Sequence, residues 1–352
     1  MSTPQFQPRA APRIVPMSLA QLNAADATPK VDWLWHGLIA RGHVTLLTSA
    51  WRAGKTTLIT GLLQQFAAVG AFLDRPVRPA KLLVVSDESE ATWAERLRRM
   101  PVGEHCQLIA HPFRWYLTRE EWQALFELAT EMRSAGNLDL LVLDSLEKLR
   151  PRTIDDDSNG LEFMVASLRS LIESGVGVLI LSRPRAESAE KRSARSQAGR
   201  SAADIVVELS NYGPMDADEC RRKLLSVSRF PETPRRLVYE WDRGTSRFHF
   251  LGDPLGVRFH ENLEHLHAAL KRHRRPATPH ELLKDWPADV PRPSRAALYE
   301  WLKRAHEENR VRRLGTGRRG DAFRYGLANE GDVSGARRDP PSLRADARER
   351  TA

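Results

Sequence analysis

Residues 44–61 (VTLLTSAWRAGKTTLITG) contain the side chains whose types and order most directly point to chemistry. An apolar run at residues 44–47 leads into a loop that ends in Gly54, Lys55 and Thr56, and a sequence typical of a helix follows. This order of strand, loop, Gly-Lys-Thr and helix is the context of a phosphate-binding loop. The amides of such a loop and the N-terminus of its helix favour bound negative charge. The segment therefore predicts a site for ATP and Mg²⁺.

Within this site Lys55 would reach the β- and γ-phosphates, and the Thr56 hydroxyl would hold Mg²⁺. The phosphates would lie against the loop, which consists of Ser49, Ala50, Trp51, Arg52, Ala53, Gly54, Lys55, Thr56 and Thr57. The loop departs from the pattern G-x-x-x-x-G-K-[ST] because Ser49 replaces the first glycine and because bulky Trp51 and Arg52 lie inside it. The flanking strand and helix still favour the nucleotide-binding interpretation.

A carboxylate for the metal ion follows a later strand. Residues 138–144 (LDLLVLD) form an apolar run that ends in Asp144, the pattern of a Walker B aspartate. Asp144 would hold the Mg²⁺ shell together with Thr56. An Asp after a strand can also simply cap the next turn, but the phosphate loop upstream favours the metal-binding role.

A second carboxylate could activate water. Glu88 follows the apolar run 81–86, which we expect to form a strand neighbouring that of the phosphate loop. A carboxylate at the end of such a strand can polarise the water that attacks a γ-phosphate. Glu88 is the predicted base, with Asp87 and Glu90 as alternatives. A solvated turn of three acids is the simpler interpretation of the same residues.

Residues 183–200 (RPRAESAEKRSARSQAGR) are polar, basic and too long for a tight connection, so we expect a loop. In ring ATPases such loops either contact nucleic-acid phosphates or insert an arginine into a neighbouring subunit's site, where it stabilises transition-state charge. Arg195 and Arg200 are the candidates for this catalytic role. A solvated run of charge explains any single arginine equally well.

The rest of the body alternates strand-like apolar runs with helical spacing up to residue 209. Such alternation predicts an α/β fold with a doubly wound, mainly parallel sheet. The helices are expected at 91–99, 120–133 and 161–172. From residue 222 three strand-like runs separated by turns predict an antiparallel extension of that sheet.

Composition restricts the class of protein. Hydrophobic residues make up 41% of the chain, enough for a core, and no apolar run approaches the ~18–20 residues of a membrane span. The Pro-rich N-terminus lacks the charged-then-apolar pattern of a signal peptide. Cys106 and Cys220 lack metal-ligand spacing and offer no disulfide framework. We expect a cytoplasmic protein with no membrane contact.

Charge is concentrated near the C-terminus. Residues 255–327 hold 16 Lys and Arg against 9 Asp and Glu, and so carry +7 of the net +9. A basic module suggests a polyanion partner, most simply nucleic acid. The arginine usage of a high-GC genome explains the charge equally well.

The pattern of this basic module is more specific than its charge. Three helix-like stretches and an arginine-rich hairpin predict a winged-helix DNA-binding domain. The predicted DNA contacts are Ser294, Arg295 and Tyr299, at the start of the third helix, and Arg318 and Arg319, at the hairpin tip. A winged helix that binds protein instead of DNA is the alternative.

The set of motifs resembles the RecA-like P-loop ATPases of the plasmid replicative-helicase type, the RepA-like group of the RecA/DnaB superfamily. The resemblance covers roughly residues 30–250. It is carried by VDWLWHGLIARGHVTLLTSAWRAGKTTL, LLVVSDESEATWAERLRRM, LDLLVLDSLEKL, VGVLILSRPR, SAADIVVEL and RRKLLSVSRFPETP.

This resemblance implies that Glu88 is catalytic and Asp144 holds the metal ion. It also implies ATP hydrolysis and a ring, usually a hexamer, with each nucleotide at a subunit boundary. Ser182 and Arg183 stand where the family often carries a His-His pair or a Gln that senses the γ-phosphate. Sensing would then fall to Arg183 or to another group.

The expected organisation is a disordered lead at 1–29, a RecA-like ATPase domain at 30–252, a winged-helix domain at 255–327 and a disordered tail at 328–352. The first functional hypothesis is an ATP-driven motor or loader acting on DNA, single- or double-stranded, in plasmid or mobile-element replication. The second is an ATP-regulated winged-helix switch without helicase activity. A strand-exchange recombinase fits less well, since no N-terminal oligomerisation motif is evident.

Overall fold

The computed structural model describes residues 30–50, 53–110, 118–149, 160–183, 202–213, 220–273, 275–288, 292–318 and 320–328. The chain divides into two compact units, Met1–Asp32 and Trp33–Ala352. Of the first unit only residues 30–32 are described, so the expected disordered lead lies outside the described residues, as does the tail from residue 329. All elements below belong to the second unit.

The described residues form fifteen strands and nine helices. The strands are β1 Trp33–Trp35, β2 Ile39–Ala40, β3 Val44–Ser49, β4 Gly70–Phe72, β5 Arg75–Val77, β6 Leu82–Ser86, β7 Cys106–Ala110, β8 Leu140–Asp144, β9 Gly177–Ser182, β10 Ile205–Asn211, β11 Arg221–Ser228, β12 Arg236–Asp242, β13 Arg247–Gly252, β14 Val311–Leu314 and β15 Arg324–Leu327. The helices are α1 Lys55–Gln65, α2 Glu90–Arg99, α3 Arg119–Ser134, α4 Leu146–Leu149, α5 Gly160–Ser167, α6 Arg169–Glu173, α7 Pro254–Lys271, α8 Pro279–Lys284 and α9 Arg295–Glu307.

A nine-stranded sheet organises the molecule, in the order β13-β12-β11-β10-β3-β9-β8-β6-β7. The six strands from β10 to β7 pair in parallel, and β11, β12 and β13 continue the sheet in antiparallel pairing. The predicted α/β fold with a mainly parallel sheet and an antiparallel extension is confirmed. Strands β6 and β8 are buried at every residue, as expected when helices cover both faces.

Helices do cover both faces of the parallel strands. On one face, side chains of α3, α5 and α6, such as Trp122 and Met164, pack against those of β8 and β9. On the other face, Leu58 and Ile59 of α1 line a small apolar cavity together with Leu47 of β3.

The expectation that the strand before Glu88 neighbours the phosphate-loop strand is wrong. In the sheet, β9 and β8 lie between β3 and β6. Pairing order is set by long-range packing, which the periodicity of a single strand does not encode. The carboxyl ends of all four strands nevertheless reach the same edge because they run in parallel.

Three other features of the fold were not predicted from the sequence. The helix predicted at 161–172 is divided into α5 and α6, because Leu168 leaves regular helical geometry. Helix α7 begins at Pro254, because the Asp253 carboxylate accepts hydrogen bonds from the first-turn amides and Pro suits the first helical position. A small sheet, ordered β2-β1-β5-β4, was not predicted.

The C-terminal residues form three helices, α7 to α9, and the hairpin β14–β15, around an apolar cluster of their own that includes Leu266, Leu298 and Tyr325. Thr278 and Ser294 cap α8 and α9 through their side-chain oxygens, as their sequence positions indicate. The assignment of this module as a winged-helix domain, and the boundaries 30–252 and 255–327, stay predictions. No helix within the described ranges is long and apolar enough to span a membrane.

The antiparallel extension of the sheet packs against α1, the helix that follows the phosphate loop. Gly61 lies in α1, and a Cβ placed on it would overlap Cε2 of Phe248, on β13. Phe248 is partly buried, with its ring centroid 5.2 Å from that of Phe72 and 5.8 Å from that of Tyr239. The absence of a side chain at Gly61 therefore lets β13 pack on the helix that carries Lys55.

We expect Gly61→Ala to lower the free energy of unfolding by about 1–2 kcal/mol, because overpacking against Phe248 outweighs the helix propensity gained by alanine. Gly70→Ala is the matched control, since no atom lies within 4 Å of its Cβ position and its stability should stay within about 0.5 kcal/mol. Urea denaturation measures both. The double variant Gly61→Ala/Phe248→Leu should recover part of the loss; a fully additive loss would contradict this contact.

Candidate nucleotide site

Lys55 is buried at the mouth of the phosphate loop. It is the first residue of α1, it is 8% exposed, and its Nζ donates hydrogen bonds to the Ser49 carbonyl at 3.0 Å and to Ser49 Oγ at 2.8 Å. Ser49, the residue that replaces the usual glycine, thus supplies the hydroxyl that holds the lysine. Serine in place of glycine at position 49 therefore positions Lys55, which stays next to the space where phosphates would lie.

Gly54 sets the geometry between the loop and α1. It is the N-cap of the helix with φ +93°, a left-handed conformation that favours glycine. Its carbonyl accepts the first helical hydrogen bond, from the Leu58 amide at 2.9 Å. Among the described residues no atom lies within 4 Å of a Cβ placed here, so the positive φ and not crowding is what favours glycine.

Thr56 and Asp144 form the predicted metal-binding pair. Thr56 Oγ1 donates to Asp144 Oδ2 at 3.1 Å, although the two residues lie on α1 and at the end of β8. Asp144 is 5% exposed, and burial, together with the negative charge of Asp87, raises its pKa to about 6. A hydroxyl and a buried, destabilised carboxylate are oxygen donors of the kind that Mg²⁺ prefers. The residues present fit this ion.

Burial has the opposite effect on Lys55. It lowers the pKa of the ammonium group to about 8, while the negative charges of Glu147 and Asp144 raise it and the positive charge of Arg183 lowers it further. A phosphate in the loop would supply the countercharge that Ser49 lacks. Without a ligand, burial therefore disfavours the charged forms of both Lys55 and Asp144.

Glu88 follows β6 by two residues, at the edge of the sheet where β8 ends in Asp144. Parallel pairing aligns Ser86 with Asp144, and the Asp87 amide donates to the Asp144 carbonyl at 2.7 Å. The Glu88 carboxylate accepts a hydrogen bond from Arg96 Nη1 at 2.5 Å, and Arg96 stacks at 4.8 Å on the ring of buried Trp93.

The two alternatives to Glu88 differ in position. Asp87 is partly buried, and burial raises the pKa of its carboxyl group against the opposing charge of Arg183. Glu90 is exposed in the first turn of α2, behind the capping residue Ser89. The geometry therefore brings Lys55, Thr56, Asp144, Asp87 and Glu88 together and leaves Glu90 outside.

Two residues of this region were missed by sequence reasoning. Glu147, on α4, accepts hydrogen bonds from Ser182 Oγ and from the Arg183 amide, each at 2.7 Å. Arg222, on β11, donates from Nε to the Ala53 carbonyl of the phosphate loop at 3.2 Å. An acid three positions after Asp144 was the available signal for Glu147; nothing in the local sequence distinguishes Arg222.

Four of the predicted DNA contacts are described, three on or next to α9 and one in the hairpin. Ser294 accepts from the Ala297 amide at 3.2 Å as the N-cap of α9, and Arg295 lies 5.8 Å from the ring of Tyr299, which is 40% exposed. Arg318 forms a backbone bridge with Asp321 in the hairpin. Five predicted site residues fall outside the described residues: Trp51, Arg52, Arg195, Arg200 and Arg319.

Comparison with known proteins identifies a family for this chain. A family model described as an AAA domain matches residues 9–189, a little more than half of the 352-residue chain. Among solved structures, a KaiC-like protein from the hyperthermophilic archaeon Pyrococcus horikoshii OT3 is similar over 63% of this chain and 100% of that chain, with 16% sequence identity and a TM-score of 0.44. None of the curated proteins matches the chain.

We expect Asp144→Asn to stabilise the metal-free protein at neutral pH. Because the folded-state pKa is raised from 3.8 to about 6, ionisation of Asp144 opposes folding, and this cost develops as pH rises from about 4 to about 7, reaching at most ~3 kcal/mol. The Asn side chain can still accept from Thr56. Urea unfolding with EDTA should show a gain of about 1–3 kcal/mol at pH 7.5 that falls to about a third of that value at pH 4.5. An equal loss at both pH values would contradict this account of Asp144.

Proposed function

This chain belongs to the AAA domain family, and we propose that it is an ATP-hydrolysing motor or loader that acts on DNA. Family membership and the mainly parallel sheet identify a P-loop ATPase of RecA-like fold, so the proposal concerns the work that hydrolysis drives. It includes a cytoplasmic homo-oligomeric ring, a hexamer by analogy, that serves the replication of a plasmid or mobile element. The observation that supports hydrolysis most strongly is the Thr56–Asp144 contact beside Lys55, with Glu88 just beyond β6, the strand that pairs with β8.

Lys55 would exchange its two hydrogen bonds to Ser49 for contacts to the β- and γ-phosphates. Thr56 and Asp144 would hold Mg²⁺, which supplies positive charge against the phosphate oxygens. Glu88 would polarise the attacking water and take up its proton. Since Glu88 is paired with Arg96 in this conformation, that ion pair must open before the carboxylate can reach a water.

The DNA part of the proposal is supported by the basic C-terminal module. Arg295 and Tyr299 at the start of α9 offer a cation and an exposed aromatic ring, and Arg318 lies in the hairpin at residues 311–327. The net +7 of residues 255–327 favours a phosphate-rich partner. On this proposal the module binds DNA while the nucleotide site drives movement or loading.

A second function, an ATP-regulated DNA-binding switch, is favoured by one observation. Arg222 contacts the phosphate loop at Ala53, and the preceding residue, Arg221, forms an ion pair with Glu261 of α7. Neighbouring residues of a strand point to opposite faces, so two consecutive side chains of β11 contact the nucleotide loop and the first helix of the C-terminal module. Nucleotide binding alone could change DNA binding through this connection.

ATPase activity measured with no DNA, with single-stranded DNA and with duplex DNA separates the two functions. Stimulation by single-stranded DNA, together with strand displacement, is expected for the motor or loader. Slow hydrolysis that depends on duplex DNA would favour the switch. If neither form of DNA changes the rate of hydrolysis, both proposed functions lose their DNA partner.

We expect Lys55→Ala and Glu88→Gln each to abolish turnover, on the order of 10²-fold or more in kcat. Glu88→Gln should still bind ATP with little change, because the amide leaves the phosphate contacts intact. Glu90→Gln is the matched control and should retain activity, since Glu90 lies outside the site. Normal hydrolysis by Glu88→Gln would show that another group activates the water.

We expect the double variant Arg295→Ala/Arg318→Ala to bind duplex DNA roughly tenfold or more weakly at moderate salt. The plot of log affinity against log salt should also flatten by about 2, one unit for each lost phosphate contact. The control Arg98→Ala/Arg99→Ala removes the same charge from exposed positions of α2. Equal losses in the two double variants would indicate a nonspecific charge effect instead of a DNA-binding face.

A further inference from the structure

Glu147 is a charged side chain at the nucleotide site to which none of the predicted steps gives a role. It lies on α4, the short helix after Asp144, and that helix packs against β8 and β9. In the sheet β9 lies between β3 and β8. The carboxyl end of β9 therefore faces the gap between the phosphate loop and the metal-binding carboxylate.

One oxygen of Glu147 fixes the chain where it leaves β9. Oε1 accepts both the Ser182 hydroxyl and the Arg183 amide, each at 2.7 Å. Two short hydrogen bonds to one carboxylate oxygen, one of them from the backbone, constrain the direction in which Arg183 continues. The other oxygen, Oε2, is buried and has no hydrogen-bond partner among the residues that the structure describes.

The register of the sheet shows where Arg183 lies. Thr48, just before the phosphate loop, pairs with Ser182, and Asp144 pairs with Leu181. Arg183 therefore leaves β9 between the phosphate loop and the metal-binding carboxylate. A cation at this place is suited to the terminal phosphate of ATP, which ADP lacks.

We propose that Glu147 is a positioning residue for hydrolysis: it tethers the end of β9 so that Arg183 meets the γ-phosphate. This proposal rests on the proposed ATPase function. Glu147 acts through Arg183 and does not itself touch the nucleotide.

The test compares the full-length wild type with Glu147→Ala, Glu147→Gln, Arg183→Ala and the double variant Glu147→Ala/Arg183→Ala. Two readouts are needed: kcat for ATP, and the ratio of affinities for a non-hydrolysable ATP analogue and for ADP. Glu173→Ala removes an exposed carboxylate at the end of α6 and is the control. Thermal unfolding checks that each variant is folded.

Glu147→Ala and Arg183→Ala should each reduce kcat on the order of 10²-fold and bring the affinity ratio towards one, with ADP binding within about twofold of the wild type. The double variant should lose no more than either single variant, because both changes remove one interaction. Glu147→Gln should retain the ratio within about threefold, since its amide oxygen can accept the same two hydrogen bonds.

Losses that multiply in the double variant, or an unchanged ratio in Glu147→Ala, would overturn the proposal. So would a loss in Glu147→Gln equal to that in Glu147→Ala, because charge and not tethering would then be responsible. If Glu147→Ala does not fold, Ser182→Ala removes one of the two donors and should lower the ratio by a smaller factor; no change there would also overturn the tether.

The affinity ratio separates this proposal from the proposed function. A wild type that binds both nucleotides but hydrolyses neither would refute the ATPase function, while the predicted changes in ratio would still support the tether. A wild type that hydrolyses ATP with an unaffected Glu147→Ala variant would refute only the tether. A wild type that binds neither nucleotide would overturn both.

Discussion

The parallel pairing of β3, β9, β8 and β6 is the constraint on which the nucleotide site depends. Register aligns Thr48 with Ser182 and Ser86 with Asp144, so the chain leaves all four strands at one edge of the sheet. Lys55, Arg183, Asp144 and Glu88 are then brought close because each follows or ends one of these strands. A single antiparallel strand in this series would send its terminal residue to the opposite edge. The site therefore depends first on the parallel direction of these strands, which brings its side chains to one edge, and then on the identity of each side chain.

This convergence has an electrostatic cost that explains why the site is suited to a charged ligand. Burial raises the pKa of Asp144 and of Asp87 and lowers that of Lys55, so both signs of charge are held at the sheet edge without full compensation. The hydrogen bonds from Lys55 to Ser49 and from Thr56 to Asp144 satisfy the polar atoms but neutralise neither charge. A phosphate against the lysine and a divalent cation against the carboxylate would compensate both together. Binding of both ligands would therefore offset the cost of burying these charges and stabilise the folded protein.

The sequence predicts the local parts of the site well, because a phosphate loop and a strand that ends in Asp are contiguous patterns. Ser49, Lys55 and Thr56 are recognisable from their order alone, and Asp144 from the apolar run before it. The order of strands is not encoded in this way, which is why β6 was wrongly expected beside β3. Glu147 looks like an ordinary helical glutamate until β9 is placed next to it, and the contact of Arg222 with Ala53 joins residues brought together only by the pairing of β10 with both β3 and β11. Long-range pairing therefore accounts for most of what sequence reasoning missed.

Strand β11 gives the two proposed functions a common physical basis. Arg222 contacts the phosphate loop, and Arg221 is paired with Glu261 at the start of the C-terminal module. Strand β11 pairs with β10 on one side and β12 on the other, so a displacement of the phosphate loop and a displacement of α7 would both act on this one strand. A switch needs only that nucleotide binding favours one arrangement of these contacts. A motor also needs hydrolysis to change the arrangement, and the Glu88 carboxylate is held by Arg96 in the conformation described. Release of that ion pair is therefore the event that would make a nucleotide-dependent switch into a motor.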